Sequence, residues 1–257
     1  MARLDRDGVG IHYEIHGSGP LLLLSHGYGA SADMWAGQIA ALAADHTVIT
    51  WDMRGHGRSD SPEDPSRYSE AHTLGDMQAL LDVAGGGPAI VGGLSLGGYM
   101  SLAFYRDHPA SVRALMLFDT GPGYRSHEAR EKWNRFADRQ AEKFETRGLD
   151  ALARSAETAA AVHRSAAGLA HAARGMLAQR DASVMDTLAG IGVPTLVLVG
   201  EDDAPYLAAA DYMSSKIPGA RKVVLPGAGH AANLDAPQAF DDAVRGFLDG
   251  LDDRSVH

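Results

Sequence analysis

The sequence predicts an α/β fold: a mostly parallel central sheet flanked by helices, with a helical cap insertion in its second half. Three observations carry that reading. Short apolar runs recur at 21–25, 47–51, 89–92, 114–118, 195–199 and 223–225, and their apolarity is continuous rather than alternating, the mark of strands covered on both faces. Amphipathic segments stand between several of them, at Trp35–Ala44, Ser69–Val83, Leu96–Asp107 and Pro237–Leu248. The stretch between Phe118 and Thr195 is far longer than one crossover helix requires, and its content is helical.

The elements follow in order. Residues 11–16, Ile-His-Tyr-Glu-Ile-His, alternate apolar and polar after an Asp7-Gly8 turn and read as a hairpin strand near a sheet edge, with His12 and His16 facing solvent. The run 21–25 leads into His26-Gly27-Tyr28-Gly29, and the run 47–51 into Asp52-Met53-Arg54-Gly55-His56-Gly57-Arg58-Ser59. The run 89–92 enters Gly93-Leu94-Ser95-Leu96-Gly97. From 123 to 190, Trp133, Phe136, Gln140 and Phe144 fall at helical steps and alanine dominates after residue 150. This segment reads as a helical cap over the strand ends, dividing the chain into a core of 1–122 and 191–257 and a cap of 123–190. The run 195–199 ends in Gly200-Glu201-Asp202-Asp203, the run 223–225 in Pro226-Gly227-Ala228-Gly229-His230, and the polar tail 249–257 is expected to fray.

Composition removes several function classes. The 257 residues are 45% hydrophobic and 22% charged, enough for one large domain or a core with an insertion. No apolar run nears the roughly 18 residues that span a bilayer, and Met1–Asp7 has no apolar signal core. The absence of cysteine excludes disulfides, thiolate metal sites and a cysteine nucleophile. Both features fit a cytoplasmic protein that does not engage a membrane. With 33 acidic against 23 basic residues and a net charge of −10, the chain offers no basic stripe for nucleic acid. It contains no GxxxxGK[ST], no GxGxxG and no HExxH, so neither metal nor organic cofactor is expected.

What remains is a serine between glycines two residues before and two after it. Set on a strand-to-helix turn, such a serine stands above the sheet, and side chains at 93 and 97 would strike neighbouring backbone. A hydroxyl needs a base to take its proton, and the base needs an acceptor to orient it. Of twelve histidines, His127, His163 and His171 belong to the insertion and at most line a pocket. Only His26, His56 and His230 sit in glycine-rich loops after strand-like runs. Ser95, then Asp202 or Asp203, then His230 follow one another, each just past a different strand, in the α/β-hydrolase chain order. Asp203 also has a structural role open to it, as the cap of a helix starting near Pro205. Negative charge on the attacked carbonyl oxygen calls for two fixed N–H donors. Leu96 N–H is one and Tyr28 N–H the best candidate for the other. His26 then organises its loop, and Asp52–Ser59 braces the oxyanion strand.

These pieces resemble the α/β-hydrolase superfamily, and within it the small capped esterase and lactonase-like members. The resemblance rests on HGYG at 26–29, DMRGHGRS at 52–59, GLSLGG at 93–98, GEDD at 200–203 and GAGHAANLDAPQAF at 227–240. It implies that Asp203 rather than Asp202 is the acid, with Asp119 at a known alternative acid position. It implies a serine hydrolase that cleaves a small-molecule carboxylic ester or lactone through an acyl-enzyme. Rival activities are carbon–carbon bond hydrolysis or enol-lactone hydrolysis in aromatic breakdown, perhydrolase or non-haem haloperoxidase chemistry, and a hydrolase-like small-molecule receptor. The insertion carries no matching motif, and substrate choice is expected to lie there.

Overall fold

The computed structural model describes residues 2–152 and 155–252. Eight strands form one sheet: β1 (Ala2–Arg6), β2 (Val9–His16), β3 (Leu21–Ser25), β4 (Thr47–Trp51), β5 (Ala89–Leu94), β6 (Val112–Phe118), β7 (Thr195–Gly200) and β8 (Arg221–Leu225). Their order is β1-β2-β4-β3-β5-β6-β7-β8. The first hairpin is antiparallel and β2 joins β4 antiparallel, while β4, β3 and β5 to β8 run parallel. Asp7 and Gly8 turn that hairpin with φ of 56° and 78°, the pair of positive values that matches strand twist. β1 forms the edge and β2 stands beside it, near the edge as expected. His12 is buried, contrary to the solvent-facing position expected, because Arg58 lies over it with Nη1 2.7 Å from its Nε2.

The parallel strands split their side chains between two cores. Leu23, Ile49, Val91, Leu115 and Val197 face one layer, built with Leu74, Met77, Met100 and Phe104. Leu22, Leu24, Val48, Ile90, Met116 and Leu198 face the other, closed by Trp35, Phe240, Val244 and Phe247. Each fully buried side chain of this size contributes roughly 1.5–3 kcal/mol, so both faces must stay covered. The covering helices are α1 (Ala36–Leu42), α2 (Glu70–Val83), α3 (Leu96–Asp107), α4 (His127–Arg147), α5 (Ala166–Ala172), α6 (Ser183–Thr187), α7 (Ala204–Lys216), α8 (Ala232–Asp235) and α9 (Pro237–Asp252).

Residues 123–190 hold α4, α5 and α6. Ser126 starts α4 by accepting from Ala129 N–H, and Gly148, at φ 62°, ends it. Residues 155–165 make turns rather than helix. A small apolar cluster of Ala141, Phe144, Leu169, Ala170 and Ala173 joins α4 to α5, with Tyr28 packed against it. At the end of the chain α9 continues through Asp252, so 249–252 are helical and the rest of the expected fraying tail, 253–257, lies outside the described residues.

Register decides where the loops meet. Ser25 pairs with Gly93, Leu94 with Phe118, Phe118 with Leu198 and Gly200 with Leu225. Five carboxyl ends therefore finish in one row, the place where ligands bind in such sheets. β3 and the turn after β5 approach closely. A Cβ on Gly97 would lie 2.2 Å from the Ser25 carbonyl oxygen, and one on Gly93 2.6 Å from it. Both neighbours are backbone, so Gly97→Ala should destabilise by about 1–3 kcal/mol and lower Tm by several degrees. Gly37→Ala, whose Cβ meets nothing within 4 Å, should leave Tm unchanged or raise it. Equal melting curves for the two variants would show that the strands are not held this closely.

Candidate active site

β5 runs straight into Ser95, which stands at φ 53°, ψ −113° before α3 begins. A side chain in that region costs of order 1–3 kcal/mol, so the conformation has to be imposed from outside. Ser95 N–H donates to the Phe118 carbonyl at 3.0 Å, and the Thr120 hydroxyl donates to the Ser95 carbonyl at 2.6 Å. The strand end on one side and the loop after β6 on the other thus hold the turn.

His230 Nδ1 lies 2.7 Å from Asp203 Oδ2. Asp203 occupies the N-cap position of α7, yet its carboxylate caps nothing there; it is buried against the imidazole, while Asp202 is exposed. With the carboxylate accepting, Nδ1 carries the proton and Nε2 is left free to act as base. The Tyr206 ring stacks on His230, centroids 4.9 Å apart and planes at 28°. Burial pushes its hydroxyl up to about 12, and the side chain lines the cavity with Ser95. No Ser95–His230 hydrogen bond is drawn among the described residues, although both side chains line one cavity with Asp203.

Tyr28 and Leu96 line that cavity too. Leu96 opens α3, so its N–H has no intrahelical partner and lies at the positive end of the helix. The Tyr28 loop is fixed from behind. His26 donates through Nδ1 to the Gly27 carbonyl (2.7 Å) and accepts Met53 N–H at Nε2 (2.9 Å). Asp52 accepts from Ala32 N–H at 2.7 Å and Arg58 N–H at 2.8 Å, so the Asp52–Ser59 loop is tied to the segment it was expected to brace. His163 does not line the cavity. It is buried behind the same loop, donating through Nε2 to the Gly29 carbonyl (2.8 Å) and accepting Gly57 N–H at Nδ1 (3.0 Å). Burial lowers the pKa of His26, His56 and His163 alike, leaving this group neutral. Arg54 is equally committed, paired at 2.7 and 2.8 Å with the buried Asp76.

Two further acids face His230. Asp119, at φ 44° past β6, accepts Gly200 N–H at 2.7 Å through Oδ1, while its buried Oδ2 has no partner among the described residues. Burial pushes its carboxyl up to about 7. Glu157, between α4 and α5, lines the cavity. Burial also pulls the His230 imidazole down, but the Asp203 hydrogen bond and the charges of Glu157, Asp203 and Asp119 outweigh this, leaving its pKa above the ordinary 6.5. The cavity measures about 680 Å³, and Tyr124, Trp133, Phe136, Leu177 and Met185 supply an apolar wall from residues 123–190. Phe144, on the same stripe, turns instead into the small cluster with Leu169.

Tyr206 and Glu157 were not foreseen. Tyr206 carried a usable signal, since it follows Asp203 by one helical turn and so shares its face. Glu157 carried none, lying in a stretch without periodicity.

A family model described as the alpha/beta hydrolase fold matches residues 20–167. The chain belongs to this family. It is 31% identical, over 93% of its own length and 97% of the relative's, to a provisionally named carbamate hydrolase, RutD, of Pseudomonas savastanoi pv. phaseolicola. It is 28% identical to the 3-oxoadipate enol-lactonase 1 of Acinetobacter baylyi, over 96% of each chain. The solved structure of a thermophilic esterase from Thermogutta terrifontis matches with a TM-score of 0.84 at 29% identity, covering 98% of this chain and 99% of that one. Among the described residues no helix is long and apolar enough to cross a membrane.

The raised His230 pKa fixes the direction of a pH profile. The base must be unprotonated, so kcat/KM should fall as pH drops through a midpoint above 6.5, because that profile reports the free enzyme. A midpoint below 6.5 on a non-titrating substrate would contradict the electrostatics described.

Proposed function

We propose that this protein is a serine hydrolase cleaving a small carboxylic ester or lactone through Ser95, His230 and Asp203. The observation that carries the reading is the 2.7 Å Asp203–His230 contact opening onto the cavity that holds the strained Ser95. His230 Nε2 takes the Ser95 proton as Oγ attacks the carbonyl carbon. The carbonyl π electrons move to oxygen, where the Tyr28 and Leu96 N–H groups receive the charge; such a donor is worth roughly 2.7–4 kcal/mol in the transition state. Imidazolium, stabilised by Asp203, returns its proton to the departing alkoxide. Water, deprotonated at the same Nε2, attacks the acyl-enzyme, and Ser95 leaves with the proton restored.

Before attack Oγ must come within hydrogen-bond reach of Nε2, an adjustment within the range of apo-to-complex change. Residues 123–190 act as a cap on a core of 1–122 and 191–257. Support for this comes from the aromatic and aliphatic side chains they place over Ser95, which exclude water and strengthen the electrostatics beneath. The names of the Thermogutta and Acinetobacter proteins support ester and lactone chemistry. The cavity differs from one built for carboxylate-bearing substrates, since no lysine or arginine lines it among the described residues. Uncharged acyl groups fit it better.

Ser95→Ala should lower turnover of small nitrophenyl esters by about 10⁴-fold or more with an unchanged melting temperature; near-normal turnover in a preparation free of contaminating esterase would remove the nucleophile. Asp203→Asn should cost about 10²–10⁴-fold by favouring the wrong imidazole tautomer. Asp119→Asn keeps an oxygen for Gly200 N–H and should cost less than about tenfold. A reversed ranking of these two carboxylates would move the acid to Asp119. Turnover below one per minute on every ester, lactone and ring-cleavage ketone tested would favour a receptor, against the 1–10³ per second usual for enzymes.

A further inference from the structure

The reaction just drawn leaves Glu157 without a task. Its Oε2 is buried and accepts no hydrogen bond among the described residues. It lies 3.2 Å from where a Cβ on Gly27 would stand, and Ser95 Cβ lies 3.5 Å from that same point. The carboxyl therefore sits beside the oxyanion loop and next to the nucleophile. The other charged groups lining the cavity, Asp203 and His230, are bonded to each other. One acidic group is thus left over in a space that contains no lysine or arginine among the described residues.

Its surroundings define what would partner it. Tyr124, Trp133 and Phe136 form a continuous aromatic wall, with successive centroids 6.0 and 5.2 Å apart. An unpaired carboxyl in such a cavity is strongly unfavourable as an ion unless a donor reaches it. The partner that satisfies it best is a charged N–H, which forms a charge-assisted hydrogen bond and is attracted to ring faces as well. An anionic substrate group there would meet Glu157 with no lysine or arginine lining the cavity among the described residues to offset it.

Resting on the serine-hydrolase reading above, we propose that Glu157 anchors a protonated amine of the substrate, so that the preferred substrates are esters or lactones carrying an ammonium group a few bonds from the scissile carbonyl. The amine hydrogen-bonds to Oε2, where burial disfavours the charged carboxylate until a partner reaches it. The ammonium also places the carbonyl over Ser95, because the carboxyl and the nucleophile flank the same loop.

Three methyl esters of nearly equal shape separate the charges: methyl 3-aminopropanoate, methyl butanoate and monomethyl succinate. 2-(Dimethylamino)ethyl acetate, protonated at neutral pH and so carrying an N–H, against 3-methylbutyl acetate asks the same question on the alcohol side. We expect kcat/KM for the cationic member of at least one pair to exceed its neutral isostere by about tenfold or more, equivalent to about 1.4 kcal/mol, mainly through KM. The anionic ester should be the poorest of its set. Glu157→Gln should bring the cationic-to-neutral ratio close to one, and Ser95→Ala, which does not turn over, should bind methyl 3-aminopropanoate more tightly than methyl butanoate by calorimetry. Equal rates within both pairs, or a ratio unchanged in Glu157→Gln, would overturn the proposal. Labelling of Ser95 by a small fluorophosphonate tells the two readings apart: a labelled, active protein with flat charge preference loses only the ammonium site, whereas absent labelling removes the serine-hydrolase reading itself.

Discussion

Most of what this chain can do depends on how closely two backbones meet. The Ser25 carbonyl at the end of β3 lies where Gly93 or Gly97 would need room for a Cβ, and nothing larger than hydrogen fits. Because β3 and β5 pair with Ser25 opposite Gly93, the loop carrying Tyr28 and the turn carrying Ser95 emerge side by side. The nucleophile and the two N–H donors we propose come from segments about seventy residues apart in the chain, and this contact is what makes them neighbours. The strain at Ser95 is its consequence: a chain leaving β5 and entering α3 within one residue must adopt a positive φ, and the Phe118 and Thr120 hydrogen bonds hold it there.

Around that contact the protein arranges charge asymmetrically. Behind the oxyanion loop stand three imidazoles that burial keeps neutral, His26, His56 and His163, satisfying backbone groups without adding charge. In front of it three acids face one imidazole, and their combined field outweighs the desolvation of His230. In the reaction we propose, that field favours the imidazolium; of the three acids, Glu157 and Asp203 line the cavity.

The sequence revealed the fold well because the inner parallel strands, β3 to β7, are buried on both faces, which writes a continuous apolar run that an exposed edge such as β8 does not require. Strand ends were less readable: β6 begins at Val112 and β8 at Arg221, where polar residues sit within paired backbone. The Ser95 turn, Asp203 and His230 were readable because each stands directly after such a run. His12 was misplaced since alternation alone does not reveal that Arg58, from a loop 46 residues onward, covers the strand. His163 reaches Gly29 across 134 positions and Gly57 across 106, and no local pattern encodes a pairing of that range. Glu157 belongs with it: that its buried Oε2 has no partner among the described residues is something only a folded structure can display.

The account turns on a covalent bond between substrate and Ser95. Mixing the protein with a nitrophenyl ester, quenching in acid within milliseconds and weighing the intact chain and its peptides measures that bond. The mass of one acyl group should appear on the peptide that contains Gly93–Gly97 and decay as free acid accumulates. Acyl mass on a different peptide, or steady product formation with Ser95 unmodified at every quench time, would contradict it.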